Sequence, residues 1–127
     1  MKITTFNPLI LTAHSDDVIR LFEDLGFEVR HVKKDLDSVA ATKDVRMRDA
    51  EGHHLDIVQI DQLPHDMTQI RMNVDNFEEA CDLLKEYGFQ STRKDGTISR
   101  DASAKGVGMV SPSGFTIAVA QHIKDHK

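Results

Sequence analysis

The chain lacks the sequence features of disulfide-rich, membrane-spanning and nucleic-acid-binding proteins. It has a single cysteine, Cys81, so it cannot form an intramolecular disulfide, and a reducing cytoplasm is the expected location. It has no apolar run approaching about 18 residues and no secretory signal pattern, so we expect neither membrane insertion nor secretion. It has no basic excess, and its net charge of −5 argues against a nucleic-acid partner. At 127 residues, a single domain over 1–127 is expected.

Common catalytic patterns are also missing. No serine lies in a Gly-x-Ser-x-Gly turn, and the segment Lys105–Gly108 is too weak a pattern for a phosphate-binding loop. Cys81 falls on the apolar stripe of a predicted helix, between Phe77 and Leu84, and is interpreted as a core residue. The sequence therefore identifies no catalytic residue.

What the sequence does contain is a repeat. Gly26-Phe27 recurs 62 residues later as Gly88-Phe89, and no gap is needed to continue the match. The same offset relates Val45 to Val107, Met47 to Met109, Gly52 to Gly114 and Gln59 to Gln121. Each half is therefore interpreted as one copy of a supersecondary unit, with modules at 1–62 and 63–127. Two such copies bury their apolar faces together and create a cleft between them.

Both halves show the same predicted order, β-α-β-β-β. Ser15 is expected to cap the first helix, and Asn76 with Glu79 forms a capping-box pattern before the second. The first half has strands at 7–13 and 27–32, the apolar helix stripe Val18, Leu21, Phe22 and Leu25, and a hairpin of 44–48 with 54–58. The second has strands at 68–74 and 89–92, the stripe Phe77, Ala80, Cys81, Leu84 and Tyr87, and a hairpin of 107–110 with 115–120. Irregular segments are predicted at 33–42, 61–66, 94–105 and 123–127.

Together with the two modules, two short motifs resemble those of a known family. The first helix ends in Leu25-Gly26-Phe27, and the last hairpin has a Ser-Pro-Ser-Gly turn at 111–114 followed by Ile117. Over nearly its whole length the chain resembles the vicinal oxygen chelate superfamily, which includes glyoxalase I, bleomycin-resistance proteins and extradiol dioxygenases. The resemblance implies an α+β fold of two tandem βαβββ modules, whose mixed sheets form an incomplete barrel around a central cleft that holds the ligand.

Strand alternation predicts a polar surface inside that barrel. The residues expected to pack on the helices are Ile70, Met72 and Val74, with Leu55, Ile57, Phe115, Ile117 and Val119. The opposite set should face inward: Gln69, Arg71 and Asn73, with His54, Asp56, Val58, Thr116, Ala118 and Ala120. In the first strand, Asn7 shares a face with Leu9 and Leu11.

The resemblance also implies where a metal would bind. The family's four ligand positions correspond here to Asn7, Asp56, Gln69 and Ala118. Alanine cannot coordinate a metal, asparagine is a poor ligand, and catalytic zinc sites normally use three His, Cys or carboxylate ligands. We therefore expect no cofactor. If a divalent metal does bind, the expected ligands are His54, Asp56 and Gln69, although a half-solvated His54 at the mouth of its strand is the favoured interpretation.

Arg71 has two interpretations of equal weight. A guanidinium inside a barrel needs a partner, because an unpaired buried charge is costly. It could anchor the carboxylate or phosphate of a ligand, or it could form an internal ion pair with Asp56. The predicted ligand-binding residues are Asn7, His54, Asp56, Gln69, Arg71, Asn73 and Thr116.

These observations favour a protein that binds a small molecule in its cleft without the family's metal. A metal-dependent lyase, isomerase or dioxygenase of the glyoxalase I type is the alternative, so the sequence leaves enzymatic activity undecided. The expected partners are a small-molecule ligand and a second copy of the chain in a homodimer, with neither nucleic acid nor membrane.

Overall fold

The computed structural model describes residues 1–34, 41–93, 98–100 and 104–122. The two helices are α1 (Ser15–Asp24) and α2 (Phe77–Glu86). The strands are β1 (Ile3–Thr12), β2 (Phe27–Lys34), β3 (Ala41–Asp49), β4 (His54–Ile60), β5 (Met67–Val74), β6 (Gln90–Ser91), β7 (Ser99–Arg100), β8 (Ala104–Val110) and β9 (Thr116–His122). Neither described helix has the length and apolar character needed to cross a membrane.

The chain divides into two units. The first unit is Asn7–Thr68, and the second unit is Gln69–Lys127 together with Met1–Phe6. In the first unit the strand order is β2-β3-β4-β1, with β1 and β4 parallel and the other pairs antiparallel. In the second unit β5 pairs β9 in parallel, β9 pairs β8 antiparallel, and both β6 and β7 pair β8.

The predicted fold class is confirmed. The strands form a mixed sheet in the order β2-β3-β4-β1-β5-β9-β8-β6, with β7 beside β8. Strand β1 neighbours β5 through its first residues, which belong to the second unit, where the Asp75 N–H donates to the Lys2 carbonyl over 3.0 Å.

The repeat is visible in the two apolar cores. The first unit buries Val45, Met47, Leu55 and Ile57 against Val18, Ile19 and Phe22 of α1. In the second unit the equivalent strand positions, Val107, Met109, Ile117 and Val119, pack with Phe77, Ala80 and Cys81 of α2. Both cores therefore lie on the helix side of their sheet, as strand alternation predicts.

A glutamine joins the last strand of each unit to the start of its helix. The Gln59 side-chain oxygen accepts the Ser15 N–H over 2.9 Å, and its amide nitrogen donates to the Ala13 carbonyl over 2.8 Å. In the second unit the Gln121 side-chain oxygen accepts the Phe77 N–H over 2.8 Å, and its amide nitrogen donates to the Asp75 carbonyl over 3.1 Å. Each glutamine thus satisfies a helix N–H that has no partner within the helix. We call this arrangement the glutamine clamp.

Both helices end at a glycine, as predicted. Gly26 and Gly88 have φ of +106° and +89°, a region that residues with a Cβ atom rarely adopt. A Cβ at Gly88 would also lie 2.8 Å from the Pro112 ring. The predicted cap at Asn76 is confirmed, because its side-chain oxygen accepts the Glu79 N–H over 3.1 Å.

The prediction for Ser15 is wrong. Ser15 is the first helical residue, the N-cap is His14, and the His14 side chain makes no capping hydrogen bond. The amide oxygen of Gln59 satisfies the Ser15 N–H instead.

Four apolar residues predicted to pack are exposed. Leu25 and Tyr87 are the C-cap residues of their helices, where the chain turns away from the sheet, and their exposed fractions are 63% and 73%. Leu21 lies on the flank of α1, beside the face that buries Val18. Phe115 precedes β9 and rests edge-on against the ring of Phe89, with centroids 5.4 Å apart.

Several strand limits also differ from the sequence-based prediction. Strand β1 begins at Ile3 instead of residue 7, β2 continues to Lys34, and the second unit has the extra short strand β7. The hairpins on either side of Gly52 and Gly114 are confirmed. The predicted irregular segments at 33–42 and 94–105, and the tail at 123–127, lie partly or wholly outside the described residues.

Candidate functional site

The first unit carries a polar cluster on the sheet face opposite α1. Asp56 of β4 is paired with Leu9 of β1 and with Arg46 of β3, so these side chains share that face. Asp56 is 0% exposed, and Asn7, two residues before Leu9, is also buried. The sequence-predicted orientation of Asn7 and Asp56 is consistent with this register.

The Asp56 carboxylate is held by neighbours in its own unit. Its Oδ1 lies 3.6 Å from the Arg46 Nε and accepts a hydrogen bond from the Asn7 amide nitrogen over 3.1 Å. A buried carboxylate is stable as a charged group only where such partners offset its lost hydration. Sequence analysis missed Arg46. Counting the hairpin outward from its turn at Gly52 would have placed Arg46 directly across from Asp56.

Too few metal-ligating side chains converge on this cluster to form a metal site among the described residues. His54 is exposed at the first position of β4, across from Arg48. Among the described residues, no group of three or more His, Cys, Asp or Glu side chains lies close enough to hold one ion. At the positions implied by the family resemblance, Asn7 directs its amide nitrogen at Asp56, and Ala118 has no donor atom. These residues do not fit the family's metal.

The second unit presents a different surface on the face opposite α2. Arg71 and Asn73 of β5 pair with Ala118 and Ala120 of β9, and these alanines pair in turn with Gly108 and Gly106 of β8. Arg71 is half-buried, and Asn73 is 8% exposed. Two long polar side chains therefore stand beside a surface of very small residues. We call the four positions 106, 108, 118 and 120 the small-residue floor.

Thr92 covers one end of this floor. Its N–H donates to the Gly108 carbonyl over 2.9 Å, and a Cβ at Gly108 would lie 2.8 Å from the Thr92 hydroxyl oxygen. At Gly106 a Cβ would lie 3.1 Å from the Val119 carbonyl oxygen. The close approach of these neighbours explains why glycine occupies both positions.

The Asn73 side chain contains a buried polar atom that is not satisfied. Its Oδ1 is out of contact with solvent and has no hydrogen-bond partner among the described residues. An orphaned buried carbonyl oxygen costs free energy, on the order of 1–3 kcal/mol. Such an atom in a native structure needs an explanation.

A cavity of about 640 Å³ lies elsewhere in the first unit, at the N-terminal end of α1. It is lined by His14, Asp16, Lys43 and Gln59, among others, and contains none of the predicted ligand-binding residues. Lys43 already pairs with Asp16 over 3.3 Å, and Gln59 already occupies the Ser15 N–H. Lys43 and Gln59 are therefore already engaged by neighbours in the cavity wall.

Three groups outside the polar faces have a shifted pKa. The exposed His53 shares a 2.8 Å hydrogen bond with Asp49, which raises the pKa of His53 and lowers that of Asp49. Burial raises the pKa of the Cys81 thiol, in agreement with its position in the α2 core. A thiol with a raised pKa is a poor nucleophile at neutral pH.

No protein-family model matches the chain, and no curated protein matches its sequence. Solved structures match its fold. A glyoxalase/bleomycin resistance protein/dioxygenase superfamily member from Vibrio splendidus has a TM-score of 0.58 at 15% identity, covering 96% of this chain and 100% of that one. Methylmalonyl-CoA epimerase has a TM-score of 0.59 at 12% identity, covering 93% and 94%. 4-Hydroxymandelate synthase from Streptomyces coelicolor has a TM-score of 0.58 at 11% identity, and the match covers 95% of this chain and 48% of that one.

These neighbours define the class of fold. The chain has the vicinal oxygen chelate fold, and the resemblance inferred from its two modules is confirmed at that level. At 11–15% identity the likeness concerns the fold alone. What these proteins bind or transform is not thereby transferred to this chain.

Proposed function

We propose that the chain is a glyoxalase/bleomycin-resistance-like protein that binds a small molecule in its cleft without the family's catalytic metal. The residues proposed to contact the ligand are Asn7, His54, Asp56, Gln69, Arg71, Asn73 and Thr116. The polar composition of the sheet faces opposite the helices supports binding, because a few convergent polar groups on an apolar background are typical of small-molecule sites.

The contacts of the Asp56 carboxylate support the proposal that no metal binds. Its carboxylate is the one anionic group among the four family ligand positions, and Arg46 and Asn7 already approach its Oδ1. A divalent cation there would lie close to the Arg46 guanidinium, and like charges at that range repel. Ala118 leaves the fourth position without any ligand atom.

Metal analysis tests this part directly. Protein purified without chelator and titrated with Zn²⁺, Mn²⁺, Ni²⁺ and Fe²⁺ under calorimetric observation should take up less than stoichiometric metal. A thermal-shift screen of small molecules against the same metal-free protein should yield stabilising ligands. One equivalent of tightly bound metal, lost in Asp56→Asn and in His54→Ala, would refute the metal-free proposal.

The alternative is a metal-dependent lyase, isomerase or dioxygenase of the glyoxalase I type. The fold that the chain shares with an epimerase and a synthase supports this alternative. It would require His54, Asp56 and Gln69 to gather around one ion. Turnover of a methylglyoxal adduct or a catechol that depends on added metal would decide for this alternative, whereas metal-independent binding decides for the first.

We also propose a homodimer. Exposed apolar side chains on the outer surfaces of both helices support association, among them Leu21 and Leu25 of the first unit and Leu83 and Tyr87 of the second. Light scattering at micromolar concentration should give twice the chain mass of 14.3 kDa. A single species at the chain mass would contradict this proposal.

A further inference from the structure

The edge of the first unit's sheet is formed by β2. Among the described strands β3 is its only neighbour, and the run of residues 28–32 in its middle is exposed. Two of these exposed residues are apolar, since Val29 is 39% exposed and Val32 is 42% exposed. A strand at an edge has backbone N–H and C=O groups on its outer side that a further strand can pair with. The side chains of β2 decide which strand fits there.

A β-bulge determines which residues of β2 share a face. The register with β3 shifts between Val29 and His31, so Arg30 is an extra residue that has no position of its own opposite β3. In a regular strand Val29 and Val32 would point to opposite faces, because side chains alternate. The bulge instead puts both on the α1 side of the sheet, since their partners in β3 are two members of the α1 core, Met47 and Val45.

The other face of β2 is charged on both sides of the bulge. Glu28 pairs with Arg48 before the bulge, and Lys33 pairs with Asp44 after it, so opposite charges occupy neighbouring positions in each case. The bulge lies midway between Glu28 and Lys33, just as it lies midway between the two valines. The strand therefore carries complementary residues at equal distances on either side of its centre, which is the pattern that a self-complementary interface requires.

We propose that β2 pairs in antiparallel orientation with β2 of a second copy of the chain, around a two-fold axis at the bulge. This inference rests on the proposed homodimer and assigns its interface. Val29 would lie opposite Val32 of the partner subunit, and Glu28 would lie opposite Lys33 of the partner subunit. Because of the two-fold symmetry each pair occurs twice. Cross-strand pairs of both kinds, apolar and oppositely charged, stabilise antiparallel sheets.

Charge complementarity favours a second copy as the occupant of this edge. Across the two joined sheets, one row of positions would hold Arg48 and Glu28 of one copy, then Lys33 and Asp44 of the other. Positive and negative residues alternate along this row over four strands, and the symmetry axis generates a second, identical row. Each charged residue of β2 would keep its oppositely charged neighbour in β3 and gain another from the partner subunit.

The bulge also restricts the register. A slip by one position would set the apolar face of one strand beside the charged face of the other. A slip by two positions would separate Glu28 from Lys33 and leave residues at the strand ends unpaired. Bulges and charged residues protect edge strands against indiscriminate pairing, and here they leave one register in which both faces match. At the axis Arg30 and His31 meet their own copies, so the flanking pairs have to supply the affinity.

Charge reversal, in single variants and in a mixture, tests the pairing. By symmetry Glu28→Lys reverses two cross-subunit pairs, and so does Lys33→Glu. Either variant alone should raise the dissociation constant of the dimer by about tenfold or more, measured by light scattering over a concentration series. An equimolar mixture of the two variants should recover the dimer, because each cross-subunit pair then joins an acid to a base. The matched controls Glu86→Lys and Lys85→Glu reverse exposed charges on α2 and should leave the dissociation constant unchanged.

Hydrogen exchange of the unmodified protein provides a second measurement. Amide exchange in β2 should slow as the protein concentration rises through the dissociation constant of the dimer, because the outer backbone groups of the strand become paired. Exchange in α2 should not depend on concentration. Since no substitution is involved, this measurement decides the matter even where a charge-reversal variant does not fold.

The outcomes separate this inference from the homodimer itself. A dimer that both charge reversals leave intact, or one whose concentration-dependent protection lies in α2, would overturn the pairing of β2 while the homodimer stands. Dimers that both reversals weaken but that the mixture does not restore would rule out the antiparallel register. A protein that stays at the chain mass of 14.3 kDa at every concentration would contradict the homodimer and the interface together. None of these results bears on small-molecule binding, which the ligand screen tests separately.

Discussion

Replacing Gln59 by leucine should unfold the protein more easily, because it opens the glutamine clamp of the first unit. The Ser15 residue is 2% exposed, so its N–H would lose its acceptor in a place that water does not readily reach. An unsatisfied buried donor costs about 1–3 kcal/mol, and the lost bond to the Ala13 carbonyl adds roughly 0.5–1.5 kcal/mol. The expected loss in the free energy of unfolding is therefore about 2–4 kcal/mol, measured by urea denaturation.

Charge and position provide the controls. Gln59→Glu keeps an acceptor for the Ser15 N–H and places a negative charge at the positive end of α1, but it loses the donor and faces Asp61. It should therefore be less destabilising than Gln59→Leu at neutral pH. Gln90→Leu changes an exposed glutamine and should stay within about 0.5 kcal/mol of the wild type. Faster hydrogen exchange at Ser15 should accompany the loss in Gln59→Leu. A Gln59→Leu variant as stable as Gln90→Leu would refute the role assigned to the clamp.

Three further predictions concern titration, coupling and reactivity. Asp49 raises the pKa of His53, so the pairing of the two charged groups stabilises the fold at pH below the ordinary histidine pKa. This contribution to stability is lost as the pH rises through the raised pKa of His53. At the acidic end it persists down to about pH 4, because the pKa of Asp49 is lowered. An NMR titration should show the His53 pKa returning to its ordinary value in Asp49→Asn. Arg46→Met should lower the free energy of unfolding by about 1–3 kcal/mol, because it leaves the Asp56 carboxylate without its cation. Adding Asp56→Leu should recover part of that loss. If denaturation shows that the two substitutions have strictly additive effects, the two residues are not coupled. Cys81 should react with a thiol reagent only at the rate of unfolding; rapid reaction of the native protein would contradict its burial.

The fold was predictable because its determinants are local or repeated. Helix ends at Gly26 and Gly88 and the apolar alternation of the hairpins depend on nearby residues, and the repeat supplied the rest. Exposure at Leu25 and Tyr87 was not predicted, because the apolar stripe continues to the last residue before each glycine, and that residue is the C-cap of its helix. Strand β1 was placed too late, since its first residues have no apolar pattern.

The candidate site was predictable as a face but not as a set of contacts. Alternation placed Asp56 and Asn73 away from the helices. It did not identify Arg46 as the partner of Asp56, nor Thr92 beside Gly108, because those contacts depend on the register between strands. The duplicated glutamine was noted in the repeat, but its role required knowing that the last strand of each unit ends beside a helix start.

The duplicated core allows the same substitution to be compared at two equivalent positions of one protein. Met47 and Met109 are 0% and 1% exposed and occupy the same place in two cores that share some residues, such as Val45 and Val107, and differ at others, such as Ile57 and Val119. The same substitution at both positions, such as Met→Leu, would meet a similar backbone but different neighbours. The difference between the two stability changes would measure how packing context alone alters a mutational effect, with chain length, solvent and unfolded state held constant.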